Sequence, residues 1–380
     1  MTLYAIAATP LIVWVYLTLG RGQFWRVAAA HRAPPVPPLP HRHVVVVIPA
    51  RNEAPVIGTA VASLARQAFD GPIHIVVVDD ASTDGTAEAA LEAARAAGVP
   101  DRFTLIRGTA LPRGWTGKLW ALSEGVAAGA HLNADYLLFT DADICHGPAS
   151  IASLVADAEA HDRDLVSHMV RLSTEQFAER WLIPAFVFFF LKLYPPAWVA
   201  SARHRLAAAA GGCLLIRPGA LARVGGVQAI RSHIIDDCAL ARAVKDSGGR
   251  VALSLTRETR SLRVYRSYAE IGAMISRTAF AQLGHSYLWL AATLAGMFLT
   301  YLLPVLLLLG GDPVLFSLGL AALLLMSLCY LPMVRFYGLK PLWCLSLPLT
   351  ASFYGGAVIH SAVQYARGSG GRWKGRVQDA

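Results

Sequence analysis

Charge and cysteine are both scarce in this chain, and each scarcity removes a class of protein. Only 16% of the 380 residues are Asp, Glu, Lys or Arg. Bases outnumber acids, 34 to 25, for a formal charge of +9, yet the basic residues are scattered or flank apolar segments. They form no basic stripe interleaved with aromatics, so nucleic acid is discounted as a partner. Five cysteines, Cys145, Cys213, Cys238, Cys329 and Cys344, are odd in number and include no C-x-x-C pair. They fit reduced, packed thiols facing a cytoplasm better than a disulfide or zinc framework. Positive side chains are also missing ahead of the first apolar run, Leu3 to Leu19, which argues against a secretory signal peptide.

Apolar residues are plentiful: 55% of the chain is hydrophobic and the mean hydropathy is +0.46, with the excess at the two ends. Part of the chain is therefore expected in lipid. Leu3 to Leu19 is just long enough to span a bilayer, and Arg21, Arg26 and Arg32 follow it, predicting an outside amino terminus and a cytoplasmic continuation. Residues 1–20 read as an anchor and 21–42 as a basic linker, stiffened by Pro34, Pro35, Pro37, Pro38 and Pro40. Ser286 to Leu309 and Pro313 to Met333 read as spans, and Arg335 with Lys340 mark the next loop as cytoplasmic. Leu342 to Gln364, within a helical membrane region of 286–366, contains Pro348, Gly355 and Gly356. As a full span it would put the basic tail, 367–380, outside, so a re-entrant or surface-lying segment is expected. Trp181 to Val199 is apolar but interrupted by Pro184, Lys192, Pro195 and Pro196, which predicts an interfacial segment or a buried core helix.

Between the apolar ends, residues 43–260 have the texture of an α/β domain with a mainly parallel sheet, followed by an interfacial stretch, 261–285. Val44 to Ile48 is a continuous β-branched run, followed by PARNE at 49–53 and a helical pattern through Val56, Ile57, Ala60, Val61 and Leu64. Ile73 to Val78 repeats the logic, with Asp79 and Asp80 at its end and ASTDGT leading to an Ala-rich helix. Phe103 to Ile106 precedes GWTG, after which Lys118 opens a helix. The run LLFTDADI, 137–144, then stops at Asp141 and Asp143, hard oxygen ligands that suit Mg²⁺ or Mn²⁺. Ligands of open α/β sheets gather at such carboxyl edges. Singly, each acid has a plain alternative as a turn carboxylate or helix-dipole acid, and Lys118 as a solvated lysine. Four such features at four successive strand ends are harder to assign to chance.

VIPARNE, VVVDDASTDGT, GWTGKLWALSEG, LFTDADI and IDDCALARAVKDSG occur here in the order of family 2 glycosyltransferases with the GT-A fold, which the chain resembles over Val44 to Gly249. WLIPAFVFFF, AAAAGGCLLIRPGALARVGG and the terminal WKGR look, more closely, like the hopene-associated members. The resemblance implies a Rossmann-like nucleotide-binding half and a UDP-sugar donor, held by Pro49, Arg51 and Glu53, with Asp80 near the base and Lys118 near the phosphates. Arg51 stands where many relatives carry an aromatic. Asp143 is implied as the metal ligand, and Asp141 as a ribose and sugar contact or a second ligand. Asp237 is implied as the base, beside Asp236 where Glu is usual. Arg277 resembles the arginine of a Q/R-x-x-R-W motif that lacks its tryptophan here. Backbone at Ala210 to Gly212 and at Gly225 and Gly226 is free to approach the sugar.

These readings converge on a membrane-bound, inverting, hexosyltransferase-type enzyme at the cytoplasmic face of the inner membrane, moving sugar from a nucleotide donor to a lipid acceptor, with a hopanoid as the narrow case. Two rivals stay open: a polyprenyl-phosphate sugar synthase, whose acceptor needs no base, and a catalytically silent membrane scaffold.

Overall fold

The β-branched run at 44–48 is buried to the last residue, and that fixes the middle of a sheet. The computed structural model of the chain describes residues 2–27, 41–373 and 376–377. The Pro-rich stretch at 34–40 and residues 374, 375 and 378–380 of the basic tail lie outside the described residues.

Eight strands form one mixed sheet: β1 (Val44–Ala50), β2 (Ile73–Asp79), β3 (Phe103–Arg107), β4 (Tyr136–Phe139), β5 (Ile144–Cys145), β6 (Leu165–Arg171), β7 (Leu214–Ile216) and β8 (Val251–Ser261). Their order is β3-β2-β1-β4-β7-β6-β8-β5. The first four are parallel, with Val44 opposite both Ile73 and Tyr136, so their carboxyl ends share one edge. β7 then runs antiparallel between β4 and β6, and β8 pairs parallel with β6. Helices Ala54–Ala65 and Thr86–Ala96 cover the sheet; the first buries Ile57, Ala60, Val61 and Leu64 of the face that its spacing predicts, and the second buries Ala87, Ala90 and Ala94.

The chain divides into two compact units. One is this α/β unit, residues 28–172 and 198–263, with the short antiparallel pair Arg372–Trp373 and Arg376–Val377. The other is helical and gathers residues 1–27, 173–197 and 264–371. Among the described residues, five helical stretches are long and apolar enough to cross a membrane: Thr2–Leu19, Phe177–Ala200, Tyr287–Leu307, Pro313–Phe336 and Pro341–Ala366. Within the last, Leu347–Ala366 is one unbroken helix. Pro348 does not interrupt it because it lies in the first turn, where the missing N–H has no intrahelical partner in any case. In the helical unit, Glu179 is fully buried and closes a capping box with Gln176, and it also accepts from Ser173 Oγ (2.8 Å) and Tyr265 N–H (2.6 Å). All five cysteines are free.

Candidate active site

Tyr136 to Phe139 are all buried, and β4 ends where the next carboxylates must find water or a partner. Thr140 and Ala142 stay inside while Asp141 and Asp143 turn outward. Across from them, Lys118 is the second residue of the helix Gly117–Gly129, whose cap Thr116 accepts from Leu119 N–H. A cation at the positive end of a helix dipole is misplaced unless anions hold it. Here they do: Lys118 Nζ lies 3.0 Å from Asp141 Oδ1 and 3.1 Å from Asp236 Oδ2. Asp236 and Asp237 open the helix Asp236–Asp246, where the dipole favours acids. Asp237 accepts from the Gly211 N–H through Oδ2 and from the Cys238 N–H through Oδ1, each at 2.7 Å.

Lys118, Asp141, Asp236 and Asp237 line one open cleft with Pro49, Phe139, Thr140 and Gly211. Its electrostatics follow from burial and crowding. Burial alone would push the Lys118 ammonium down, but Asp141, Asp236 and Asp237 outweigh it and hold its pKa above the ordinary value. Burial, then Asp236, pushes Asp237 up to about 6 against the opposing pull of Lys118 and the two N–H groups. Burial, then Asp141, likewise pushes Asp143 up to about 6, with Glu53 adding to the repulsion. Arg263 opposes it from 3.9 Å.

The donor set at the turn fits a hard divalent cation. Asp143 and Asp141 offer only oxygen, repel each other in a half-buried place, and have Glu53 close enough to add to the negative field. Asp141 is shared with Lys118, which leaves Asp143 the better placed of the two. Among the described residues no group of three or more His, Cys, Asp and Glu side chains gathers closely enough to hold a metal ion by itself.

At the next strand end Arg51 Nη1 donates to the Asp80 carbonyl (2.7 Å) and lies 3.5 Å from its buried carboxylate. The PARNE and ASTDGT loops are clamped together: Ser82 Oγ accepts from Asn52 N–H, Asn52 Oδ1 from Thr83 N–H, Thr86 Oγ1 from Glu53 N–H and Asp84 from Ala54 N–H, all within 2.8–3.1 Å. Thus Pro49, Lys118, Asp141, Asp236 and Asp237 share the cleft, Glu53 and Asp143 adjoin it electrostatically, and Arg51 with Asp80 sit beside it. Arg277 belongs to the helical unit, on the helix Tyr268–Gln282, with its Nε buried and without a hydrogen-bond partner.

Three participants escape sequence reasoning. Arg263 follows β8, a strand not expected from the pattern. The Asn52, Ser82 and Asp84 clamp consists of ordinary turn residues. The Gly211 amide has no side chain to announce it, although the double glycine at 211–212 signals a close approach. A Cβ on Gly211 would stand 3.1 Å from Lys118 Nζ and 3.4 Å from Asp237 Oδ2. Gly225 and Gly226 adopt positive φ, 89° and 74°, and serve a turn.

Residues 45–225 match the family described as Glycosyl transferase family 2. No curated protein matches the chain. Among solved structures, the chain is similar to the mannosyltransferase PcManGT from Pyrobaculum calidifontis in complex with GDP-Man and Mn²⁺, at 20% identity and a TM-score of 0.54, over 96% of this chain and 99% of that one. It also matches glucosyl-3-phosphoglycerate synthase from Mycobacterium tuberculosis in complex with Mg²⁺ and uridine-diphosphate, at 19% identity and a TM-score of 0.42, over 64% of this chain and 79% of that one. With the cleft at the carboxyl edge of its mixed sheet and the match across 45–225, the α/β unit has the GT-A fold and carries a family 2 glycosyltransferase domain.

Proposed function

We propose that the protein transfers a sugar, with inversion, from a nucleotide-sugar donor to a hydroxyl of a lipid acceptor at the cytoplasmic face of a membrane. The observation that carries this reading is Lys118, whose ammonium joins Asp141 of the donor-side turn to Asp236 beside Asp237. In this reading the PARNE loop and Asp80 hold the nucleoside, and Lys118 meets its phosphates as a point charge. A divalent ion on Asp143, with Asp141 sharing it or contacting the sugar, would neutralise the diphosphate as it departs. Asp237 takes the acceptor's proton through the carboxylate that Gly211 and Cys238 orient. A single base, with Asp141 and Asp236 engaged by Lys118, corresponds to a single displacement.

A UDP-sugar is the expected donor, and the GDP-Man bound by PcManGT makes a guanosine donor the comparison to run beside it. The five apolar stretches support a lipid acceptor, with a hopanoid as the narrow case. The test incubates membranes containing the protein with labelled UDP- and GDP-sugars and total lipid extract, and identifies the labelled lipid by mass spectrometry. The expected product carries sugar of inverted configuration on a lipid hydroxyl, and Asp237→Asn lowers turnover by roughly 10²-fold or more. Sugar on polyprenyl phosphate, formed equally well by Asp237→Asn, would instead establish the phosphate acceptor.

A further inference from the structure

Behind the cleft runs a chain of buried polar side chains that the mechanism above leaves unused. The Thr259 hydroxyl donates to Ser150 Oγ (2.9 Å), Ser150 Oγ meets His146 Nδ1 (3.1 Å), His146 Nε2 meets Thr140 Oγ1 (2.9 Å), and Thr140 donates to the Gly212 carbonyl (2.8 Å). All four side chains belong to residues no more than 4% exposed. Their proton order is fixed by counting. Thr140 spends its only proton on Gly212, so its oxygen accepts from His146 Nε2–H. Nδ1 of the neutral ring then accepts from Ser150, whose oxygen accepts from Thr259. The ring stays neutral because burial, then His168, pushes its pKa down to about 3.

The two ends of this chain have consequences for catalysis. Thr140 immediately precedes Asp141. Gly212 immediately follows Gly211, whose N–H holds Asp237. A second grip fixes the same loop from β6: Ser167 Oγ accepts from Ala210 N–H (2.8 Å) and lies 3.1 Å from the carbonyls of Ala210 and Cys213. The Gly211 amide is thereby held on one side by the sheet and on the other by the residue that leads into the donor turn.

We propose that Thr140 and His146 are positioning residues: through the Thr259–Ser150–His146–Thr140–Gly212 chain they hold the Gly211 amide, and with it the Asp237 carboxylate, in register with the Asp141–Asp143 turn. The proposal rests on the reading of Asp237 as the base. A buried, fully satisfied chain of this kind has one low-energy arrangement, and deleting a link leaves a polar atom unsatisfied. The loss should therefore reach turnover through the base and leave donor binding intact.

The test uses the full-length protein in nanodiscs, with the labelled donor and lipid extract selected by the assay above. Thr140→Val deletes the hydroxyl with little change of shape, Thr140→Ser restores it, and Thr259→Val breaks the far end should the first variant misfold. Calorimetric titration with UDP or GDP and Mn²⁺ reports a folded site independently of turnover. Thr140→Val is expected to lower kcat ~10-fold or more with donor KM unchanged, and Thr140→Ser to recover it. In an Asp237→Asn background Thr140→Val should lower kcat no further, because both act on one element. Equal losses in both backgrounds, or a loss confined to KM, would overturn the inference alone. Undiminished turnover of Asp237→Asn by itself would remove the base assignment, and this inference with it.

Discussion

Asp237 carries two consequences that can be measured separately. In its proposed role as base it must be ionised, and with its pKa raised to about 6 by burial and Asp236, kcat/KM should fall as pH drops through about 6. An unperturbed carboxylate would hold activity to near pH 4. The stability sign is opposite. A carboxyl whose folded pKa exceeds its unfolded value binds its proton more tightly when folded, so it costs stability above about pH 6 and ceases to do so below its ordinary pKa. Asp237→Asn should therefore abolish most turnover yet raise Tm at pH 7.5, with no gain at pH 3.5, by thermal melts at the two pH values. Asp143 makes a different prediction: EDTA should abolish transfer by the wild type and Mn²⁺ restore it, while Asp143→Ala should lose the metal-dependent rate. Full activity of Asp143→Ala in EDTA-treated membranes would refute its place as ligand. The residues behind both tests were legible in the sequence because charge in an apolar context is conspicuous. The Gly211 amide and the Thr140–His146 chain were not, since the first has no side chain and the second consists of residue types that are usually turn and surface polar groups.

At the scale of elements, β1 to β4 were legible because parallel strands buried on both faces read as unbroken apolar runs. The second half of the sheet was not. β6 interrupts its run with Ser167 and His168, β7 is three residues long, and β8 carries Arg257, Glu258 and Arg260 where it leaves the core. Those irregularities touch the cleft's surroundings: Ser167 grips the Gly211 loop and Arg263 follows β8 to Asp143. The loop clamp is similarly built from unremarked residues. Asp84 accepts from Ala54 N–H and Thr86 N–H, each at 3.1 Å, and from the Thr86 hydroxyl at 2.5 Å, and Thr86 in turn accepts from Glu53 N–H. Asp84→Ala leaves those donors to water and should cost about 1 kcal/mol. Its larger effect should be a raised donor KM with kcat little changed, because the clamp fixes the loop assigned to the nucleoside. A kcat loss at constant KM would place the loop elsewhere in the mechanism.

The connectivity of the whole molecule limits which apolar helices can cross a membrane. Phe177–Ala200 is inserted between β6 and β7, and these strands are paired in one sheet. A single crossing there would leave the two halves of that sheet on opposite sides of the bilayer, so this stretch must return to the side it left. The same reasoning reaches Leu347–Ala366. It starts after Arg335 and Lys340, the loop that the charge rule would place in the cytoplasm, and is followed by Arg372, Trp373, Arg376 and Val377, which group with the α/β unit. Within the helical unit it runs beside Tyr268–Gln282, the stretch expected at the interface: Phe353 packs near Tyr268, and Ser361 accepts from Phe280 N–H at 3.0 Å. The expected re-entrant or surface-lying placement of this stretch would keep the tail on the side of the loop before it. A Gln378→Cys variant should therefore resist membrane-impermeant maleimide in intact spheroplasts and react once they are lysed. Labelling of the intact spheroplasts would make Leu347–Ala366 a true crossing and place the basic tail outside, away from the nucleotide.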